Sequence, residues 1–250
     1  MYKMNLKSPE EIEIMHQGGQ KLSEVKKKVL GAIAPNVSAW DIEELVTREI
    51  EACGGKSSFK MVPGYKWSTC INVNDGVVHG IPKKELVFKK GDLVSVDMGI
   101  FYRGFHTDTS VSVYLGDDPK VQRFMEVGKK ALKQGIKSFK KGNTVADITR
   151  AIQSELVNAN YSPVYNLTGH GVGRELHEDP RVPLVISGSR DEKVKLEPGI
   201  VLAIEVMYAM GKGDIVLEDD GWTLSMKDGT ISALFEETVA LTSHGRIILT

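Results

Sequence analysis

The sequence predicts an α+β fold in which two similar halves each contribute helices followed by strands. Apolar residues at helical spacing mark residues 9–31, 38–53, 119–139 and 144–159. Strands are predicted at 69–78, in a hairpin over about 92–115, and beyond 165, where glycine and proline turns separate short apolar runs. Because the order helix, helix, strands occurs twice, we expect an internal duplication whose two sheets join into one.

Short motifs also repeat in the same order in the two halves. The pairs are Ser38–Asp41 with Thr144–Asp147, His79–Pro82 with His177–Pro180, and Gly91–Asp97 with Gly199–Glu205. The first pair has a hydroxyl residue followed three positions later by an acid, which is a helix-start signal. The last pair ends in an acid six positions after a glycine. We therefore expect a single domain over 1–250, with repeats at about 14–115 and 120–245 around a pseudo-two-fold axis.

Composition excludes several classes of protein. The 250 residues carry a net charge of −1, so no overall field favours nucleic acid or acidic lipid. A content of 41% hydrophobic and 26% charged residues is ordinary for a globular protein, and no apolar run reaches the roughly 18 residues of a membrane span. The first residues lack a signal peptide, and Cys53 and Cys70 are predicted to be free thiols. We expect a cytoplasmic protein.

Five residues in the predicted strands and their loops carry the chemistry of this sequence. They are Asp97, Asp108, His170, Glu205 and Glu236, each in an apolar or glycine-flanked segment. Burying a charged carboxylate is costly unless it is paired or binds a metal, and these segments contain no lysine or arginine. A pair of divalent cations would remove the repulsion among four acids. A carboxylate-rich set with one imidazole suits a two-metal hydrolase.

The hairpin is predicted to bring two of these acids together. We place the midpoint of its turn between positions 102 and 103, so that Asp97 and Asp108 are directly opposed on one face. Like charges in that arrangement are destabilising. A bridging cation pair therefore accounts for them better than a bulged register or hydration by water.

The histidine candidates lie in a glycine-rich loop and in the two equivalent turns. Gly169 and Gly171 flank His170 and leave its imidazole unobstructed. A histidine in such a loop is by itself more often structural than ligating, but His177 follows seven residues later. His79 occupies the matching turn of the first half, where a structural role is the alternative.

One ordered set of motifs runs through nearly the whole chain, from Ser8 to Glu236. It consists of His79, Asp97, Asp108, Gly169–Gly171, His177–Glu178, Glu205 and Phe235–Glu236. This set resembles the methionine aminopeptidases of the pita-bread fold, in which a curved, mainly antiparallel sheet from two duplicated halves is covered by helices. The resemblance implies two divalent metal ions (Co, Mn, Fe or Zn). The ligands of one would be Asp97, Asp108 and Glu236, and those of the other Asp108, His170, Glu205 and Glu236.

The resemblance also implies a reaction. A water or hydroxide that bridges the two metals would attack the scissile carbonyl and release an N-terminal methionine when the second residue is small. Glu205 would take the proton of the water, and His79 and His177 would contact the scissile amide and its carbonyl oxygen. The implied substrates are N-terminal peptides of nascent proteins at the ribosome. We expect a monomer with no nucleic-acid or membrane partner.

The methionine pocket is also given by the resemblance. It maps to Phe59, Val62, Tyr65, Cys70, Leu176 and Trp222. Apolar and aromatic walls with a sulfur partner suit a thioether, and ordinary core packing is the alternative for each position.

The short bacterial type 1 enzymes are the subgroup that this chain resembles, with four departures. Lys66, Val206, Leu234 and Glu237 stand where Pro, Pro, Gln and His are common, and none is an implied ligand. By strand alternation, Glu237 should point away from Glu236 into solvent. Two other functions stay open: a pita-bread protein without activity that binds proteins or RNA, and an exopeptidase of different preference, such as an Xaa-Pro peptidase. The presence of all five implied ligands disfavours the first.

Overall fold

Helices and strands follow one another along residues 4–250, the part of the chain described by the computed structural model. The helices are α1 (Pro9–Ala32), α2 (Ala39–Ala52), α3 (Pro119–Ser138) and α4 (Val145–Asn158), with short 3-10 helices at Phe59–Met61 and Asp191–Lys193. The strands are β1 (Lys56–Ser57), β2 (Thr69–Val73), β3 (Gly76–Val78), β4 (Leu93–Tyr102), β5 (Phe105–Tyr114), β6 (Ser162–Pro163), β7 (Thr168–Gly171), β8 (Glu178–Pro183), β9 (Val201–Ala209), β10 (Ile215–Leu217), β11 (Leu224–Met226), β12 (Ser232–Thr242) and β13 (Gly245–Ile248). The predicted α+β class is confirmed, although the strand predicted over 69–78 is divided between β2 and β3.

The second helix of each half begins in the same way. The Asp41 carboxylate accepts a hydrogen bond from the Ser38 N–H at 2.8 Å, and the Asp147 carboxylate accepts one from the Thr144 N–H at 2.7 Å. Ser38 and Thr144 also each form an isolated antiparallel bridge with a later segment of their own half. Because each pair satisfies backbone donors that have no partner inside the helix, the helix start is fixed locally.

One antiparallel sheet joins the two halves. Its main order is β1-β4-β5-β12-β9-β7-β8, and β2, β13 and β6 pair with β4, β12 and β9. A separate small sheet has the order β10-β11-β3. In the main sheet the two halves therefore meet where β5 lies beside β12, and in the small sheet β3 of the first half pairs with β11 of the second.

The helices pack on one face of this sheet. Alternate β4 residues such as Val96 and Met98 are buried with Leu22 of α1. In the second half, Ile204 of β9 is buried with Ile152 of α4. Since strand residues alternate between faces, the odd-numbered positions of β4 and β9, which include Asp97 and Glu205, point to the other face.

The hairpin turn differs from the prediction by one position. Arg103 and Gly104 form a two-residue turn with positive φ at both positions, and Tyr102 is opposite Phe105. Asp97 is consequently opposite Ser110 and not opposite Asp108. The predicted direct pairing of the two acids is therefore wrong, although both remain on the same face.

Candidate metal centre and substrate pocket

Five neighbouring strands each carry one of the predicted metal ligands. In sheet order they are Asp97 on β4, Asp108 on β5, Glu236 on β12, Glu205 on β9 and His170 on β7. Ser110 stands opposite both Asp97 and Glu236, and Glu236 stands opposite Glu205, so three of the acids form one row across the sheet. His170 is opposite Ala203. It lies on the same face as the three acids, in the adjacent row of residues, which also contains Asp108. The sheet thus brings together residues up to 139 positions apart (236 minus 97).

His170 is oriented as a ligand would be. Its Nδ1 lies 2.9 Å from the carbonyl oxygen of Gly171. Since a carbonyl only accepts, Nδ1 carries the proton and Nε2 keeps its lone pair. This Nε2 lies 3.6 Å from a Glu205 oxygen and 3.9 Å from an Asp108 oxygen. Burial lowers the pKa of His170 to about 3, so the imidazole is neutral near pH 7.

Glycines allow β7 to reach this position. A Cβ on Gly169 would come within 2.5 Å of the Ala203 carbonyl oxygen, and a Cβ on Gly171 within 2.5 Å of the Asp179 carbonyl oxygen. Any side chain at these two positions would push β7 away from its neighbours. His170 therefore depends on both glycines for its distance to the carboxylates.

The four acids are in an environment that disfavours their charge. Burial raises the pKa of Asp97 to about 7, and burial together with neighbouring carboxylates raises those of Asp108, Glu205 and Glu236 well above their ordinary values. Within residues 4–250, the ion pairs of this group involve His170 only, and no lysine or arginine neutralises the acids.

Two buried oxygens of the group also lack a partner. They are Asp97 Oδ1 and Glu236 Oε1. In addition, potential ligand atoms of Asp108, His170 and Glu236 lie within 4.8 Å of one another. Carboxylate oxygens without donors beside a neutral imidazole fit a divalent metal ion, which supplies the missing positive charge.

A cavity of about 580 Å³ opens above this group. Its walls include the whole predicted methionine pocket, namely Phe59, Val62, Tyr65, Cys70, Leu176 and Trp222. These residues pack as one apolar cluster that also contains Trp67. The Tyr65 ring contacts those of Trp67 and Trp222 edge-on, with centroids 5.2 Å and 5.1 Å apart.

Trp67, which the sequence did not single out, packs against this cluster but is not among the residues that line the cavity. Sequence reasoning left Cys70 as a pocket wall or core thiol. Burial raises the pKa of the Cys70 thiol well above its ordinary value, so the thiol stays protonated and serves as an apolar wall.

The two histidines outside the ligand group also line the cavity. The ring of His177 lies 4.5 Å from that of His170, centroid to centroid. His79 has a positive φ of 59°, and the next residue is held by a hydrogen bond from the Gly80 N–H to the Asn72 side chain at 3.0 Å. Burial lowers the pKa of both His79 and His177, so both are neutral near pH 7 and can each donate one hydrogen bond.

The four departures lie outside the carboxylate group. Val206 and Leu234 are buried in the core, and Lys66 is exposed. Glu237 points to the helix-covered face, as strand alternation predicts, but the prediction that it faces solvent is wrong. Its side chain is only 23% exposed and forms an ion pair with Lys26 of α1 at 2.8 Å.

Comparison with known proteins gives a consistent result. The profile of metallopeptidase family M24 matches residues 13–243. The methionine aminopeptidase of Aquifex aeolicus is 38% identical, over 99% of this chain and 98% of that protein, and the Escherichia coli K12 enzyme is 33% identical, over 99% and 94%. The crystal structure of the Thermotoga maritima methionine aminopeptidase superposes with a TM-score of 0.94 at 39% identity, over 100% of this chain and 99% of that chain.

The similarity to a more distant solved structure is limited to the fold. The prolidase from Pyrococcus furiosus is 22% identical with a TM-score of 0.79, and the match covers 98% of this chain but 65% of the prolidase. The predicted pita-bread architecture is therefore confirmed by both kinds of relative. The chain belongs to metallopeptidase family M24, and it is related over nearly its full length to bacterial methionine aminopeptidases.

Proposed function

We propose that this protein is a metal-dependent methionine aminopeptidase that removes N-terminal methionine when the second residue is small. The observation that carries the proposal is that the carboxylate and imidazole group lies in the same cavity as a cluster of apolar and aromatic side chains. Relatives at 33–38% identity over nearly the full length are named methionine aminopeptidases.

The proposed metal ligands are those of the sequence analysis: Asp97, Asp108, His170, Glu205 and Glu236. These residues would hold two divalent ions, drawn from Co, Mn, Fe or Zn, with Asp108 and Glu236 contributing to both; the proximity of Asp108, His170 and Glu236 supports this. When bound, such ions lower the pKa of water and polarise the scissile carbonyl.

The remaining chemistry belongs to side chains of this protein. Phe59, Val62, Tyr65, Cys70, Leu176 and Trp222 bind the methionine side chain and exclude water from it. His177 donates a hydrogen bond to the carbonyl oxygen as negative charge develops there, and His79 contacts the scissile amide. Glu205 accepts the proton of the attacking water and passes it to the leaving nitrogen.

The cellular setting is part of the same proposal. We propose a cytoplasmic monomer with one catalytic domain formed by two repeats, acting on nascent chains. Among residues 4–250, no helix is both long and apolar enough to cross a membrane.

The test is hydrolysis of the tripeptide Met-Ala-Ser compared with the dipeptide Ala-Pro. The protein is first treated with a chelator and then supplied with Mn²⁺ or Co²⁺. We expect metal-dependent release of methionine and no cleavage of Ala-Pro. Cleavage of Ala-Pro alone would assign the protein to the Xaa-Pro peptidases, and absence of both activities with either metal would reject the proposal.

A further inference from the structure

In the main sheet, the two halves of the protein meet along a short seam between β5 and β12. Only two residue pairs are in register there, Ser110 with Glu236 and Thr109 with Glu237. By contrast, β4 and β5 share ten register pairs, and β9 and β12 share nine. Asp108 and Glu236, the acids proposed to contact both metals, lie on opposite sides of this seam. Their spacing therefore depends on whatever holds the seam together.

On either side of these two residue pairs, β5 and β12 are joined by hydrogen bonds from hydroxyl side chains to the backbone. Thr238 Oγ1 accepts a hydrogen bond from the Asp108 N–H at 2.9 Å and donates to the Asp108 carbonyl oxygen at 2.7 Å. Ser112 Oγ accepts from the Leu234 N–H at 3.0 Å and donates to the Leu234 carbonyl oxygen at 2.8 Å. Side chains, and not strand pairing alone, thus fix the distance between the halves.

An ion pair holds the seam from the helix-covered face. Lys26 Nζ donates to both Glu237 carboxylate oxygens at 2.8 Å and to Thr109 Oγ1 at 3.0 Å. Thr109 Oγ1 in turn donates to the Glu236 carbonyl oxygen at 2.9 Å, and the Thr109 N–H donates to Asp108 Oδ1 at 3.1 Å. Thr109 therefore links Lys26 of α1 to the backbone of Glu236 through its hydroxyl and contacts the Asp108 carboxylate through its N–H.

We propose that Lys26 and Glu237 are positioning residues that set the spacing of Asp108 and Glu236 across the seam. The inference rests on the proposed function, since it concerns the metal ions bound there. Glu237 is one of the four positions that depart from the pattern of the methionine aminopeptidases that this chain resembles. Its counterion is Lys26 of α1. The pair is largely enclosed, with side chains 14% and 23% exposed, so solvent screens it less than a surface pair.

The experiment measures Mn²⁺ affinity by calorimetric titration of the chelated full-length protein. The variants are Lys26→Met, Glu237→Gln and the charge swap Lys26→Glu with Glu237→Lys. We expect the two single changes to weaken Mn²⁺ binding about 10-fold, the lower end of the losses seen when residues that orient metal ligands are changed, and the swap to restore part of the affinity.

Lys28→Met is the matched control. Lys28 lies on the same helix and pairs with Glu49 of α2, away from the seam. Its substitution should leave Mn²⁺ affinity unchanged. Thermal unfolding in a chelator separates positioning from a purely structural role, because a structural role lowers the melting temperature without changing the affinity of the folded protein.

Two outcomes would overturn the inference. One is unchanged Mn²⁺ affinity in the folded single variants, and the other is an equal loss in Lys28→Met. If the single variants do not fold, Thr109→Val removes the central hydroxyl with little change of shape, and wild-type affinity in that variant would overturn it too. Failure of the unmodified protein to bind Mn²⁺ or release methionine would instead reject the proposed function.

Discussion

Glu236 and Glu237 are neighbours on β12, yet their carboxylates are in opposite electrostatic situations. Glu236 is 2% exposed, has one oxygen without a hydrogen-bond donor, and has its pKa raised by burial and nearby acids. Glu237 receives two hydrogen bonds from Lys26 and one from Thr250 Oγ1. Both are carboxylates on the same strand, separated only by strand alternation. The protein provides the cation for Glu237, whereas the cation proposed for Glu236 would come from solution.

Neutralising each acid in turn should give the largest difference between them. Glu236→Gln should lower methionine release by at least ~100-fold, because a proposed ligand of both metals is lost. Glu237→Gln should have a smaller effect, about 10-fold or less, because only a supporting contact is removed. The measurement is kcat/KM for Met-Ala-Ser at saturating Mn²⁺. Equal losses in both variants would contradict the distinction between the two acids.

His79 tests whether a residue in the same cavity can be essential without being a ligand. His79→Ala should lower kcat by about 100-fold, the scale of losing one donor to the reacting group, while Mn²⁺ affinity stays within about 2-fold of the unmodified protein. Turnover and calorimetric titration are compared on the same preparation. Loss of Mn²⁺ binding in this variant would make His79 a ligand and not a hydrogen-bond donor.

Metal binding should stabilise the folded protein, and this stabilisation should depend on Glu236 and not on Lys28. At about 100 times the dissociation constant, a bound ion contributes about 2.7 kcal/mol, or roughly 5–10 °C in melting temperature for a domain of this size. Thermal unfolding with and without Mn²⁺ measures it. The shift should vanish in Glu236→Gln and persist in Lys28→Met; a shift that survives loss of Glu236 would place the bound ion elsewhere.

The pH dependence of the chelated protein tests the raised pKa values of the four acids. The pKa values of Asp97, Asp108, Glu205 and Glu236 are raised in the folded state, to about 7 for Asp97. Between the unfolded values near 4 and these raised values, the folded state binds more protons, so the free energy of unfolding contributed by this group falls as pH rises.

We expect the free energy of unfolding of the chelated protein to fall between about pH 5 and pH 7, by no more than ~1.4 kcal/mol per pH unit for each acid. Urea unfolding of the chelated protein at several pH values measures it, with Glu236→Gln as the control that should reduce the slope. Saturating Mn²⁺ should remove the fall, because the ligands are then held deprotonated. If the free energy of unfolding of the chelated protein instead rose with pH across this range, and rose more steeply than in Glu236→Gln, the raised pKa values would be contradicted.

The sequence predicted the helices well because their signals are local. Reciprocal Ser–Asp and Thr–Asp contacts and apolar spacing act over a few residues, and the observed α2 and α4 begin where those signals lie. The hairpin register was predicted wrongly because it depends on which residues form the turn. Positive φ at Arg103 moved the turn, and with it the partner of Asp97.

The candidate ligands were predicted by a different kind of reasoning. Acids in apolar strands have to be neutralised, and that requirement can be read without knowing which strands are neighbours. The Lys26–Glu237 pair carried no such signal. A lysine on a polar helix face is ordinary in sequence, and only packing brings it to Glu237.

The order of the predicted helices and strands, the repeated motifs and the five candidate metal ligands can all be read from the sequence without the structure. These follow from local backbone preferences and from the cost of burying charge. The tertiary structure alone decided the row of Asp97, Glu236 and Glu205 across four strands, the lone pair of His170 directed at the acids, and the supply of a cation to Glu237. Those features depend on strand order and register between distant segments, which are set by how the whole chain packs.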